Sequence, residues 1–102
     1  MVEKRVPHYD LAAIKSLFST PVTLQMTGVA QRDSRAIGYG ADDVVRVIQC
    51  IDPRDFHKSM TANHNPKAWQ DVYHVLDGEL ILYVKFTDNH GEAMTILSFK
   101  EK

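Results

Sequence analysis

Residues 70–87 read Gln70-Asp71-Val72-Tyr73-His74-Val75-Leu76-Asp77-Gly78-Glu79-Leu80-Ile81-Leu82-Tyr83-Val84-Lys85-Phe86-Thr87. Two runs rich in β-formers flank Asp77-Gly78, a dipeptide suited to a tight hairpin turn. In the second run Leu80, Leu82, Val84 and Phe86 alternate with Ile81, Tyr83, Lys85 and Thr87. A period of two puts the first set on a core face and the second on the opposite face. Asp88-Asn89-His90-Gly91 marks a second turn, and Ala93–Phe99 returns as a further strand. Successive strands joined by short turns are antiparallel, so this half of the chain is a three-stranded meander.

Upstream of the meander the period changes. Asp52-Pro53-Arg54-Asp55 offers an N-cap, a proline for the first helical position and an acid two residues further on, which predicts a short helix from Pro53 to about Met60. Phe56 and Met60 would then point inward, and His57 and Lys58 outward. Thr61–Pro66 reads as loop by composition. Ala41–Gln49 is a helix with Asp42 and Asp43 in its first turn, where the helix dipole favours acids, and an apolar stripe of Val44, Val47, Ile48 and Ile51. Val29–Ile37 suits a polar helix ended by Gly38 and Gly40. Val22–Thr27 alternates as a half-buried strand. Leu11, Ile14, Leu17 and Phe18 form one helical face behind an Asp10 N-cap, closed off by Pro21. The fold class is α+β, with short helices packed on one face of an antiparallel sheet and the face bearing Tyr83 and Lys85 left open. Residues 1–102 are expected to form one domain.

Twelve Lys and Arg against thirteen Asp and Glu give a net charge of −1. A dedicated duplex-binding domain carries a strong basic excess, so any nucleic-acid contact must be a local patch. No apolar run approaches the length of about 18 residues that a membrane span needs. No apolar segment follows the charged N-terminus, and the single cysteine, Cys50, cannot form an internal disulfide, so a reducing cytoplasm is expected. Val47, Ile48 and Ile51 around Cys50 suggest a small core residue. The five histidines lack a zinc-ligand spacing, and no metal or cofactor is expected.

The chemistry concentrates in Asp55-Phe56-His57-Lys58-Ser59-Met60-Thr61 and Trp69-Gln70-Asp71-Val72-Tyr73. Symmetric pairing about the Asp77-Gly78 turn places residues 70–72 near 83–85. Lys58, Gln70 and Tyr83 would then converge on one exposed surface. Such a set suits phosphodiester cleavage in RNA without a metal. The ammonium stabilises charge at phosphorus, the amide orients an oxygen, and the phenol moves a proton or stacks on a base. The bland alternative is a solvated Lys, a packing Tyr and an ordinary strand Gln. Trp69 and Tyr73 read as core anchors.

The same segments, with Ser98-Phe99-Lys100-Glu101-Lys102 and the opening Glu3-Lys4-Arg5-x-Pro7-His8, resemble the MqsR toxins along the whole chain. The resemblance implies a type II toxin with a RelE-like α+β fold. It further implies a ribosome-independent mRNA interferase that cuts single-stranded RNA at GCU-like triplets. An MqsA-like antitoxin with a zinc-binding domain and a helix-turn-helix domain would neutralise it, and DNA would be reached only through that antitoxin complex. The family's catalytic Lys, Gln and Tyr fall on Lys58, Gln70 and Tyr83, with Met60 and Lys100 in supporting positions. His57 stands where the family commonly has Tyr, and His74 where Arg is expected. A His at position 57 could take part in acid–base chemistry near neutral pH. These departures also motivate a second reading, a non-catalytic module that binds an antitoxin or repressor partner.

Overall fold

The computed structural model describes residues 1–88, 91 and 93–102. Its elements run β1 (Glu3–Lys4), α1 (Leu11–Leu17), α2 (Gly28–Ala36), α3 (Ala41–Cys50), β2 (Phe56–Ala62), β3 (Asn65–Asp77), β4 (Leu80–Thr87) and β5 (Thr95–Glu101). The five strands form one sheet in the order β1-β2-β3-β4-β5, antiparallel throughout. The helices pack on one face, and the α+β reading holds. None of the helices among the described residues is long and apolar enough to cross a membrane.

Local signals explain most elements. Asp10 caps α1 by accepting from the Ala12 amide at 3.0 Å, and Thr27 caps α2 through the Ala30 amide at 3.1 Å. At the start of α3 the Asp43 carboxylate accepts the Gly40 amide at 2.9 Å. Ile14, Phe18, Val44, Val47 and Ile48 meet Tyr73, Val75, Leu82, Val84, Phe86, Ile96 and Phe99 in the core. The hairpin turns one residue later than expected, at Gly78–Glu79 with Asp77 paired to Leu80, and Gly78 has φ 61°, a conformation that favours glycine. A Tyr39–Asp77–Arg46 cluster ties this turn to the helices: Arg46 donates twice to Asp77, at 2.8 and 3.2 Å, and the Tyr39 hydroxyl donates to the same carboxylate.

Four expectations are corrected. The helix from Pro53 stops after one 3₁₀ turn, Pro53–Asp55, although Asp52 and Asp55 do form the capping box. The chain then extends into β2, because pairing with β1 on one side and β3 on the other satisfies its backbone along the strand. Residues 61–66, expected as loop, belong to a long β2–β3 hairpin whose strands reach Ala62 and Asn65. Residues 22–27 are no strand: Pro21–Thr23 forms a 3₁₀ turn, Val22 is exposed, and only Met26 bridges to Ile96 of β5. Cys50 is exposed rather than buried, since it lies two residues past Ile48, about 200° around the helix. The second-turn expectation at 88–91 falls partly on Asn89 and His90, which lie outside the described residues.

Candidate functional site on the open sheet face

The sheet face away from the helices carries the candidate residues in cross-strand rows. Met60 pairs with Gln70, Lys58 with Val72 and Val72 with Lys85, and Lys85 with Ser98. The next row runs His74, Tyr83 and Lys100. Tyr83 therefore faces His74, two residues further along β3 than the symmetric estimate. Gln70 and Tyr83 share a face, but four residues of β3 separate their rows, about 13 Å at about 3.3 Å per residue. The Lys58–Val72–Lys85 row lies between them. Gln70 opens onto a cleft of about 220 Å³ that also touches Met60, His64 and Lys85. A second cavity, of about 190 Å³, lies among the helices and contains none of the candidate residues.

A β-bulge shapes the β2 side of this face. Phe56 pairs with Tyr73 and Lys58 with Val72, so His57 is the extra residue. Phe56 turns into the core against Tyr73, with ring centroids 5.6 Å apart. His57 stacks on His74 at 4.2 Å with planes 21° apart, and His74 in turn meets Tyr83 at 5.8 Å. Strict alternation would send His57 and Lys58 to opposite faces. The bulge brings both to the open face, which the short-helix expectation could not have shown.

The N-terminal segment completes the site. Glu3 of β1 accepts from the Lys58 ammonium at 2.7 Å, and Arg5 donates to the His57 carbonyl at 3.3 Å. Buried Asp71 holds this segment in place, accepting from the His8 amide, the Tyr9 amide and the Ser59 hydroxyl, the last at 2.6 Å. Trp69, expected as a core anchor, is only half-buried: it stacks on His8 at 5.3 Å, with the Lys4 ammonium 4.2 Å from its ring centre. Tyr73 is fully buried, as expected.

A profile of the family described as motility quorum-sensing regulator, toxin of MqsA, matches residues 6–101. The chain belongs to the MqsR toxin family. An Escherichia coli (strain K12) protein named mRNA interferase toxin MqsR is 35% identical over 103 residues, covering 99% of this chain and 100% of that one.

For this MqsR-family chain the electrostatics of the open face are those of a local basic patch on a near-neutral protein. Lys85 is half-buried, and burial, with Lys100 and Lys58 nearby, lowers its pKa. Burial likewise pulls the His74 imidazole below its ordinary value, with His57, Lys102 and Lys58 adding to the effect. Burial raises the Tyr83 phenol, and Lys58 partly opposes that. The hydrogen bond from Lys58 holds the Glu3 carboxyl below the usual range. Lys100 and Lys85 place their ammoniums 5.4 and 6.0 Å from the Tyr83 ring centre, within cation–π reach.

Lys85 and His74 are the site residues that sequence reasoning passed over as candidates. The parity of the 80–87 strand already put Lys85 beside Tyr83. Its position across Val72 from Lys58 required β2, which the sequence did not reveal as a strand. Among the described residues, no three His, Cys, Asp or Glu side chains gather as a metal-binding group.

Proposed function

We propose that the chain is a metal-independent endoribonuclease, an mRNA interferase that acts as the toxin of a type II toxin–antitoxin pair. The observation that carries this reading is the Lys58–Val72–Lys85 row, two cations facing each other across an apolar residue on an open sheet, within a chain of the MqsR family. Two ammoniums so placed bracket one phosphodiester. Lys58 stabilises the charge that builds on the phosphorane oxygens, and Lys85 holds the same phosphate from the far side. Tyr83 lies on one side of this row and Gln70 on the other. Tyr83 donates a proton or stacks on a base, and Gln70 orients the RNA through its amide. Met60 and Lys100 support these contacts, Lys100 by adding positive charge beside Tyr83.

The finer reading follows the family resemblance and the relative's name. The substrate is single-stranded mRNA cut at GCU-like triplets, the partner is an MqsA-like antitoxin, residues 1–102 act as one toxin domain, and the protein works in the cytoplasm. The test is digestion of a defined RNA in EDTA, with end mapping. The expected result is cleavage that leaves 2′,3′-cyclic phosphate ends clustered at one triplet. Lys58→Ala should lose most of the rate, and co-purified antitoxin should suppress cleavage. Cleavage that needs added metal, or a Lys58→Ala protein as active as the parent, refutes the mechanism.

A further inference from the structure

Cleavage through a 2′,3′-cyclic phosphate requires a group that accepts the 2′-hydroxyl proton, and most of the open face is unsuited to that task. Lys58 is engaged in an ion pair with Glu3 at 2.7 Å. Tyr83 is kept protonated by its burial. An amide such as Gln70 does not take protons at neutral pH. Two imidazoles on this face are stacked on each other beside Lys58. His74 is the inner ring, half-buried between His57 and Tyr83, while His57 is the exposed outer ring, next in the chain to Lys58.

We propose that His57 is the proton acceptor for the 2′-hydroxyl and that His74 is the residue that positions it, an assignment that rests on the endoribonuclease reading above. The bulge sets the geometry, because it turns His57 onto the face where Lys58 holds the phosphate. The Arg5 bond to the His57 carbonyl fixes the bulged backbone, and the His74 ring fixes the imidazole plane. The charged and titratable groups facing the pair are Glu3 and Arg5 from the N-terminal segment, Lys58 on β2, Tyr83 and Lys85 on β4, and Lys100 and Lys102 at the end of the chain. Cations dominate this set, and burial lowers the pKa of His74, the inner ring of the stack. The 2′-O–H proton then passes to a His57 ring nitrogen as the 2′-oxygen bonds to phosphorus. The P–O5′ bond breaks, its electron pair stays on O5′, and the Tyr83 hydroxyl supplies the proton for that oxygen. The products are a 2′,3′-cyclic phosphate and a 5′-hydroxyl. Solvent returns the proton from the imidazolium to the phenolate.

The experiment is single-turnover cleavage of a short RNA in EDTA between about pH 5 and pH 9, where an imidazole titrates. The unsubstituted protein should gain rate with pH through a single inflection and then level off. His57→Gln should lower the plateau by about 10²- to 10⁴-fold and erase the inflection. Free imidazole should restore part of the rate to His57→Ala, a rescue that a purely structural role would not permit. His74→Phe, which keeps a ring under His57, should keep most of the plateau, whereas His74→Ala should not. A His57→Gln protein that keeps the inflection, or a pH-independent loss in His57→Ala that imidazole does not repair, overturns the assignment and makes His57 a stacking platform only. In either case continued cleavage by the parent leaves the endoribonuclease reading intact. No cleavage by the parent overturns both.

Discussion

Asp71 is the residue on which the N-terminal half of the site depends. Its carboxylate is fully buried and takes three donors: the His8 amide at 3.0 Å, the Tyr9 amide at 2.9 Å and the Ser59 hydroxyl at 2.6 Å. Asp71→Ala strands all three. A buried donor left unmade costs about 1–3 kcal/mol, which gives roughly 3–9 kcal/mol for a rigid structure. The two amides belong to a terminal segment that can lift and hydrate, so the lower end applies, about 3–4 kcal/mol. With a urea slope of about 1–1.5 kcal/mol/M for a small domain, the unfolding midpoint should fall by about 2–4 M. Ser59→Ala removes one donor and should cost about 1–2 kcal/mol. The double substitution should cost little more than Asp71→Ala alone, because the two residues share one bond. Trp69 is the single tryptophan and stacks on His8, so release of the segment should also shift its emission to the red below the global midpoint. A midpoint shift under about 0.5 M, or full additivity with Ser59→Ala, refutes this account.

Glu3→Gln frees Lys58 from its ion pair and should tighten binding to a non-cleavable RNA, with a steeper dependence on salt, measured by fluorescence anisotropy; unchanged affinity argues that RNA does not use Lys58. The buried Tyr73 hydroxyl has no hydrogen-bond partner among the described residues, and burial pushes its pKa up to about 12, so Tyr73→Phe should leave stability equal or raise it by up to about 1 kcal/mol in urea melts. A loss above that range would reveal a partner for the hydroxyl. Asp77 has its pKa lowered by bonds from Arg46 and Tyr39. Its stabilising effect should therefore be complete above the unfolded value of about 3.9 and vanish as pH falls through the lower folded value. Thermal melts of the parent and of Asp77→Asn should converge at that acid end; a gap that persists there contradicts the sign.

The legibility of the site followed the reach of the interactions involved. Tyr83 and Lys85 were placed on one face by strict alternation within a single strand, a local property of residues 80–87. Their opposite numbers on β3 lie two residues from the expected ones, because the turn is centred on Gly78–Glu79, one residue past Asp77-Gly78, and a one-residue move of the centre shifts every pair by two. Lys58 lies on the open face, but on a strand and not near the end of a short helix. Asp52-Pro53-Arg54-Asp55 is a sound helix start, and nothing within it announces that the helix ends after one turn.

By itself, the sequence determined the caps, the apolar stripe of α3, a tight turn around Gly78 and the alternation of β4. These depend on neighbours a few residues away, whose preferences the side chains encode directly. Tertiary structure decided that residues 56–62 are a strand, that His57 bulges, and that Glu3 and Arg5 reach Lys58 and His57. Each of these rests on backbone pairing between segments more than fifty residues apart or on a register set across three strands. The free energy of those pairings outweighs the local helical preference that the sequence displays after Pro53.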